Sequence, residues 1–159
     1  MSSHSHTAAD RFFGCLPYLL PIADVYLFGT FLFQEFPSLK QLYIPLAPLL
    51  MINNSGFGGF ILFIGLYLAV VNNQKVSRFI RFNTLQAILI GILISLCGLL
   101  LQYVILPVLG MGAVTQVLMN VVFLGTIAAS GYGIIMSAMG EYTQIPQLSE
   151  TAQIQIDRF

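Results

Sequence analysis

Four long apolar runs, joined by short connecting stretches, constrain this chain more than any other feature of its sequence. They cover residues 12–33, 39–71, 82–106 and 114–139. About 20 helical residues cross the roughly 30 Å hydrocarbon core of a bilayer, so each run has the length of a span. Because 57% of the residues are apolar and only 8% are charged, the composition is not that of a soluble domain. The sequence therefore predicts an all-α, polytopic membrane protein with a four-helix transmembrane bundle.

The second run is too long for one straight helix. Over residues 39–71 a helix would reach about 50 Å at ~1.5 Å per residue. Pro45, Pro48 and the stretch NNSGFGG disfavour helix, so we expect a broken run, with a half-helix or interfacial helix over 39–52. The predicted organisation is a polar tail at 1–11, a membrane domain at 12–141, and a polar tail at 142–159, with spans at about 12–33, 44–71, 82–106 and 114–139.

Basic residues predict the orientation, because short inner loops of membrane proteins are enriched in Lys and Arg. With four spans, Lys40 stands alone on one side, and the other side carries Arg11, Lys75, Arg78, Arg81 and Arg158. We therefore expect both termini inside. If residues 39–52 crossed alone, five spans would again give a five-to-one split, but two prolines in so short a stretch favour four spans.

Three of these basic residues, Lys75, Arg78 and Arg81, precede the third run immediately. We interpret them as interface anchors, whose side chains reach the lipid headgroups and hold the inner end of that span. A docking patch for headgroups or for a partner protein is the alternative.

Asp24 is the one ionisable residue near the middle of an apolar run. An acid at that depth is a functional candidate, because an unpaired charge is costly in hydrocarbon. Its carboxylate could instead cap a helix that restarts after Pro17 and Pro21. A place in a polar translocation path and a role in proton coupling are the other interpretations.

Polar and small residues mark faces of the last two runs. Asn83 and Gln86 are three residues apart and share one helical face. In the fourth run a ridge of small residues recurs every fourth position, which lets another helix approach closely; it consists of Gly125, Ala129, Gly133 and Ser137. Packing within the bundle is the simpler interpretation of this ridge, and an interface with another chain, including a homo-oligomer, is the alternative.

The sequence lacks the residues of several functional classes. Both histidines lie in the N-terminal tail, and no span contains a lysine or a common catalytic motif. We therefore expect no enzyme, no cofactor and no metal site. A net charge of zero gives no electrostatic basis for binding nucleic acid.

Two stretches, CLPYLLPIAD at 15–24 and SRFIRFNTLQAILIGI at 77–92, together resemble the twenty-kilodalton subunit family of the translocon at the inner envelope of chloroplasts. Its cyanobacterial and plastid-encoded members are the most similar. The resemblance implies four spans in a cyanobacterial membrane or the plastid inner envelope, with both termini cytoplasmic or stromal. It also implies other translocon subunits and precursor proteins as partners, besides membrane lipids. Asp24, Asn83 and Gln86 then become candidates for a polar translocation path.

Three hypotheses about function follow. The first is a non-enzymatic translocon subunit that contributes to a protein-conducting path or its assembly in preprotein transport. The second is a small secondary transporter that uses Asp24 and the broken second run as its binding site. The third is a non-catalytic membrane assembly factor whose small-residue ridge binds another membrane protein.

Overall fold

The computed structural model describes residues 6–142 and 148–158. No β-strand occurs among these residues, which fold into α-helices joined by short 3₁₀ and π turns. The α-helices are α1 (Ala8–Cys15), α2 (Leu19–Asp24), α3 (Thr30–Glu35), α4 (Ala47–Asn53), α5 (Gly58–Leu66), α6 (Arg78–Leu100), α7 (Leu106–Leu109), α8 (Ala113–Ala138) and α9 (Leu148–Asp157).

The first apolar run folds into a bent series of short helices. A capping box of Thr7 and Asp10 starts α1. Proline cannot donate a backbone hydrogen bond, and the chain tightens into a 3₁₀ turn around Pro17 before α2 begins. A second turn follows Val25, and the two halves of the run, Ala8–Asp24 and Tyr26–Glu35, meet at 58°. This bend lies after both Pro17 and Pro21.

The second run is broken, as the sequence predicts. A 3₁₀ helix over Pro37–Tyr43 leads into α4, and α5 continues through a π turn to residue 71. The two parts, Ala47–Asn53 and Gly58–Val71, meet at 108°. Gly56 adopts a φ of 73°, a left-handed conformation that costs glycine little. This reversal places the end of α4 and the start of α5 side by side.

The third and fourth runs form long helices. Ser77 caps α6 through a hydrogen bond to the amide of Ile80, and the helical segment extends through α7 over Arg78–Leu109. Gly110, with a φ of 63°, ends it, and α8 begins at Ala113. A short turn therefore joins the third and fourth runs as a helical hairpin.

The N-terminal half of α6 lies at the centre of the protein. Residues 81–88 are buried on every face of the helix, because α1, α2, α8, α9 and the π turn after α5 all pack around it. Beyond residue 94 most side chains of the helical segment are exposed, including Leu96 and Leu100 of α6 and Val104 of the π turn that follows it. A helix that is apolar on all sides needs a nonpolar surrounding, so this C-terminal part of the segment faces lipid or a partner protein.

The C-terminal polar stretch contains a packed helix. Ala152 and Ile156 of α9 are buried against Phe82, Leu85 and Ile88 of α6. A salt bridge of 2.5 Å joins Arg78 Nη2 to Asp157 Oδ1 at the end of α9. The stretch that was expected to be a tail therefore covers one side of the central helix.

Two helices of the described residues, Arg78–Leu109 and Ala113–Ala138, are long and apolar enough to cross a membrane. The count rises to four if each bent pair forms one span. The prediction of an all-α membrane protein is confirmed. Four spans, the inner location of both termini and the predicted domain boundaries stay predictions.

Candidate functional site

A closed polar cluster lies inside the bundle, beside the N-terminal half of α6. Asn83 Oδ1 accepts hydrogen bonds from the Tyr18 hydroxyl at 2.8 Å and from Ser137 Oγ at 3.0 Å. Gln86 Nε2 donates to the Tyr18 hydroxyl at 3.0 Å. All four side chains are fully buried. Buried polar groups with satisfied hydrogen bonds join helices firmly in a low-dielectric surrounding, so the polar cluster ties the first apolar run to α6 and α8.

The small residues of α8 do not share one environment. Gly133 is buried against Tyr18, and Ser137 belongs to the polar cluster. Ala129 is half-buried, whereas Gly125 is exposed and a β-carbon there would have nothing within 4 Å. The part of the ridge formed by Gly133 and Ser137 thus packs within the bundle. At the other end of the ridge, a side chain at Gly125 would point away from the described residues.

Asp24 occupies a second, separate polar site. It is the last residue of α2, and its Oδ1 accepts a hydrogen bond of 2.6 Å from Nδ2 of Asn53, the last residue of α4. The break in the second run creates this contact, because the chain reverses immediately after Asn53. Among the residues that the structure describes, Asn53 is the one hydrogen-bond partner of the carboxylate.

The lateral groove around Asp24 has a volume of about 600 Å³ and lies between α2, the α4–α5 break and α6. Its lining is mostly apolar, with Tyr26, Asn54 and Ser95 as further polar residues. Asp24 is exposed in the groove, and Leu27 at its side is 69% exposed. The groove is therefore open on the lateral surface of the protein and is not an enclosed cavity.

The position of Asp24 along the Arg78–Leu109 segment follows from its contact with α6. A β-carbon at Gly91 would lie 3.2 Å from Asp24 Oδ2. Gly91 is about 20 Å along the helix from Arg78 and about 27 Å from Leu109, at ~1.5 Å per residue. Asp24 therefore lies beside the middle of the Arg78–Leu109 segment.

The interpretation of Asp24 as a helix cap is wrong. The 3₁₀ helix Tyr26–Gly29 follows Val25 and has no side-chain cap. Asp24 ends α2, and its carboxylate points across the break toward Asn53 instead of toward the amides that follow it.

The three predicted anchors occupy different environments. Lys75 and Arg78 are exposed at the N-terminal end of α6. Arg81 is only 6% exposed, and its Nε donates a 2.8 Å hydrogen bond to the carbonyl oxygen of Val71. Arg81 thus joins α6 to the end of the second run, and the anchoring role of the three residues stays a prediction.

Sequence reasoning missed two residues of these polar sites. Tyr18 lies within the motif CLPYLLPIAD, but its hydroxyl at the centre of the polar cluster was not anticipated. The sequence indicates only that Asn53 belongs to a helix-breaking stretch. The signal that could have identified it is an amide side chain beside the break in the second run, since the Asp24 carboxylate needs a hydrogen-bond donor.

Neither polar site resembles a metal centre, since no three His, Cys, Asp or Glu side chains come together in residues 6–142 and 148–158. The described arrangement can hold helices together at Asn83 and Gln86, and it can accept a hydrogen-bond donor or a cation at Asp24.

Fold and sites together define an all-α membrane protein with two discontinuous helical segments, a closed polar centre and a lateral groove. The chain belongs to the Tic20 family, since the family model described as "Chloroplast import apparatus Tic20-like" matches residues 8–152. The resemblance noted from the two sequence stretches is confirmed. Proteins of the Tic20 family are components of the protein translocon of the chloroplast inner envelope.

Relatives from cyanobacteria and plastids show the same membership. A Tic20 family protein of Synechocystis sp. is 48% identical, with 98% of each chain covered. Protein TIC 20-II, chloroplastic, of Arabidopsis thaliana is 32% identical over 94% of this chain and 73% of the relative. The Tic20 family protein Ycf60 of Gracilaria tenuistipitata is 33% identical over 95% of this chain and 77% of the relative.

Proposed function

We propose that this chain is a non-catalytic membrane subunit of a protein translocon that contributes one wall of a protein-conducting path, or the assembly of that path, in preprotein transport. The observation that carries this proposal is the lateral groove, which holds a carboxylate beside the middle of the Arg78–Leu109 segment on an open side of the protein. Family membership supports the translocon role.

The packing of the bundle supports a path at its side instead of its centre. Residues 81–88 of α6 are buried on all faces, and the polar cluster occupies the interior. A small helical bundle fills its own core with side chains. A path for an extended chain therefore requires an open side and further subunits, and the lateral groove is such a side.

The proposal includes partners and an orientation. Other translocon subunits and precursor proteins are the expected partners, and both termini lie on the cytoplasmic or stromal face. The exposed end of the ridge at Gly125 is a surface where a second helix can approach closely; it suits another subunit or a second copy of this chain.

Site-specific photocrosslinking tests the proposed path. A photoreactive residue replaces Ser95, which lines the groove, or Leu124, an exposed residue of α8 outside it. In vesicles that hold an arrested precursor, we expect crosslinks to the precursor from position 95 and few from position 124. Crosslinks from position 124 alone, or equal crosslinks from both positions, contradict the proposal.

A small secondary transporter is the second candidate, and the Asp24–Asn53 contact favours it. Broken helices that meet at mid-membrane form binding sites in such transporters. A purified chain reconstituted into vesicles tests this candidate: a proton or solute flux that Asp24→Asn abolishes supports the transporter. The translocon proposal expects no such flux from the chain alone.

A further inference from the structure

The Asp24 carboxylate is an incompletely satisfied anion in an apolar surrounding. Asn53 donates one hydrogen bond to Oδ1, whereas a carboxylate offers about four lone-pair positions. Oδ2 faces the side of α6 at Gly91, where the missing side chain leaves it room. A charge at this depth is expensive unless it has a partner.

The described part of the chain supplies no cationic partner for this carboxylate. Among those residues the one salt bridge joins Arg78 to Asp157 at the inner end of α6. Arg78 is about 20 Å along α6 from Gly91 at ~1.5 Å per residue, beyond the reach of its side chain. The lining of the lateral groove contains no Lys, Arg or His.

The shape and lining of the groove define the ligand further. Its volume of about 600 Å³ exceeds that of one side chain and falls within the usual range of ligand pockets, about 300–1,000 Å³. Leu20, Phe28, Leu50 and Ile92 line it beside Asp24. Such a groove fits an apolar chain that presents one cationic group to the carboxylate. A lipid headgroup remains at the membrane surface, so a protein segment is the source that matches the depth.

We propose that the Asp24–Asn53 pair binds the side chain of a lysine or arginine carried by an apolar protein segment that lies in the lateral groove. The inference deepens the proposed function, on which it rests for the identity of the segment as a transported or partner chain. Asn53 acts as a positioning residue, because its amide orients the carboxylate toward the groove. Inorganic cations match the site less well, since they prefer several oxygen ligands and Asp24 supplies the one carboxylate of the groove lining.

Binding of a synthetic helix tests this proposal in the absence of other translocon subunits. The probe is a fluorescent Leu/Ala peptide of about 20 residues with one central lysine, and the comparison peptide carries norleucine there. Energy transfer to the labelled full-length chain in neutral lipid nanodiscs measures binding. A charge-assisted hydrogen bond predicts about tenfold or more tighter binding of the lysine peptide.

Three variants separate the site from general effects. Asp24→Asn is isosteric and should remove the preference for lysine, with thermal unfolding used to verify that it folds. Asn53→Leu should reduce this preference, whereas Glu35→Gln, which removes an exposed carboxylate of α3 outside the groove, should retain it. Equal binding of the two peptides to the unaltered chain, or a preference that survives Asp24→Asn, overturns the proposal.

Four further outcomes distinguish alternative occupants and alternative failures. If n-decylamine abolishes binding of the lysine peptide at a concentration at which n-decanol does not, the site selects a cationic group. If n-decylamine binds as tightly as the peptide, the occupant is a free amphiphile, and the proposed protein segment is overturned. Lysine-selective binding without precursor crosslinks at position 95 contradicts the translocon role and leaves the site. Crosslinks without lysine selectivity contradict the site alone.

Discussion

Gly133→Ala should destabilise the protein through a single new methyl group. A β-carbon at Gly133 would lie 2.4 Å from Cε1 and Cζ of Tyr18, whereas nonbonded carbon atoms rest about 3.5–4.0 Å apart. Tyr18 is completely buried, so the ring cannot move without disturbing its neighbours. Its hydroxyl would also leave Asn83 and Gln86, the partners that it has in the polar cluster.

The magnitude follows from three contributions. Overpacking of a dense core costs about 1–3 kcal/mol, and two weakened buried hydrogen bonds add about 1 kcal/mol each. The better helix propensity of alanine returns about 1 kcal/mol. We therefore expect the free energy of unfolding to fall by about 2–4 kcal/mol, which lowers Tm by about 5–15 °C for a chain of this size.

The matched control is Gly125→Ala in the same helix. A β-carbon there would meet nothing within 4 Å, so this change should leave Tm unaltered or raise it slightly. Thermal unfolding of the purified variants in one detergent measures both. Tyr18→Leu should cost less in the Gly133→Ala background than alone, because it relieves the clash. Equal Tm values for Gly133→Ala and Gly125→Ala would refute this account of the packing.

Further predictions concern orientation and the buried polar contacts. Cysteines at Ala9 and Gln74, in a chain without other cysteines, should react with an impermeant reagent from the same side of oriented vesicles; opposite accessibility would contradict four spans. Arg81→Lys should lower the free energy of unfolding by about 1–3 kcal/mol, since it loses a buried hydrogen bond. Arg78→Lys should lower it by less than about 1 kcal/mol, since the salt bridge of Arg78 is exposed. Denaturant titration measures both, and equal losses would argue against the buried contact of Arg81. Tyr18→Phe removes the shared hydroxyl of the polar cluster and should cost about 2–3 kcal/mol, so an unchanged unfolding midpoint would exclude its proposed role in joining the helices.

Much of the candidate sites could be predicted residue by residue, but not their partners. Asn83 and Gln86 were expected on one helical face, and both reach Tyr18. Asp24 was expected as an exceptional acid, yet its contact with Asn53 spans 29 positions along the chain. Hydrogen bonds between distant residues depend on how the helices pack. In helices that are apolar on most sides, the sequence does not show which faces pack together.

The environment of the basic residues shows the same division. Their position before the third run could be read directly, and it predicts which end of α6 faces inward. The burial of Arg81 could not be predicted from the sequence, because it results from packing of the N-terminal end of α6 against residue 71. Arg78, three residues away, remains exposed and pairs with α9, whose place beside α6 is also a tertiary feature.

The sequence by itself determined the membrane class, the apolar runs, the break in the second run and the hairpin before α8. These are local properties, since run length, missing proline amides and glycine φ angles act within a few residues. Only the tertiary structure decided that Asn83 and Gln86 lie in a closed centre, while Asp24 opens into a lateral groove. The physical reason is that helices in lipid are apolar on nearly all sides, so hydrophobicity does not specify which face turns inward, and close contacts such as that between Gly133 and Tyr18 select it instead.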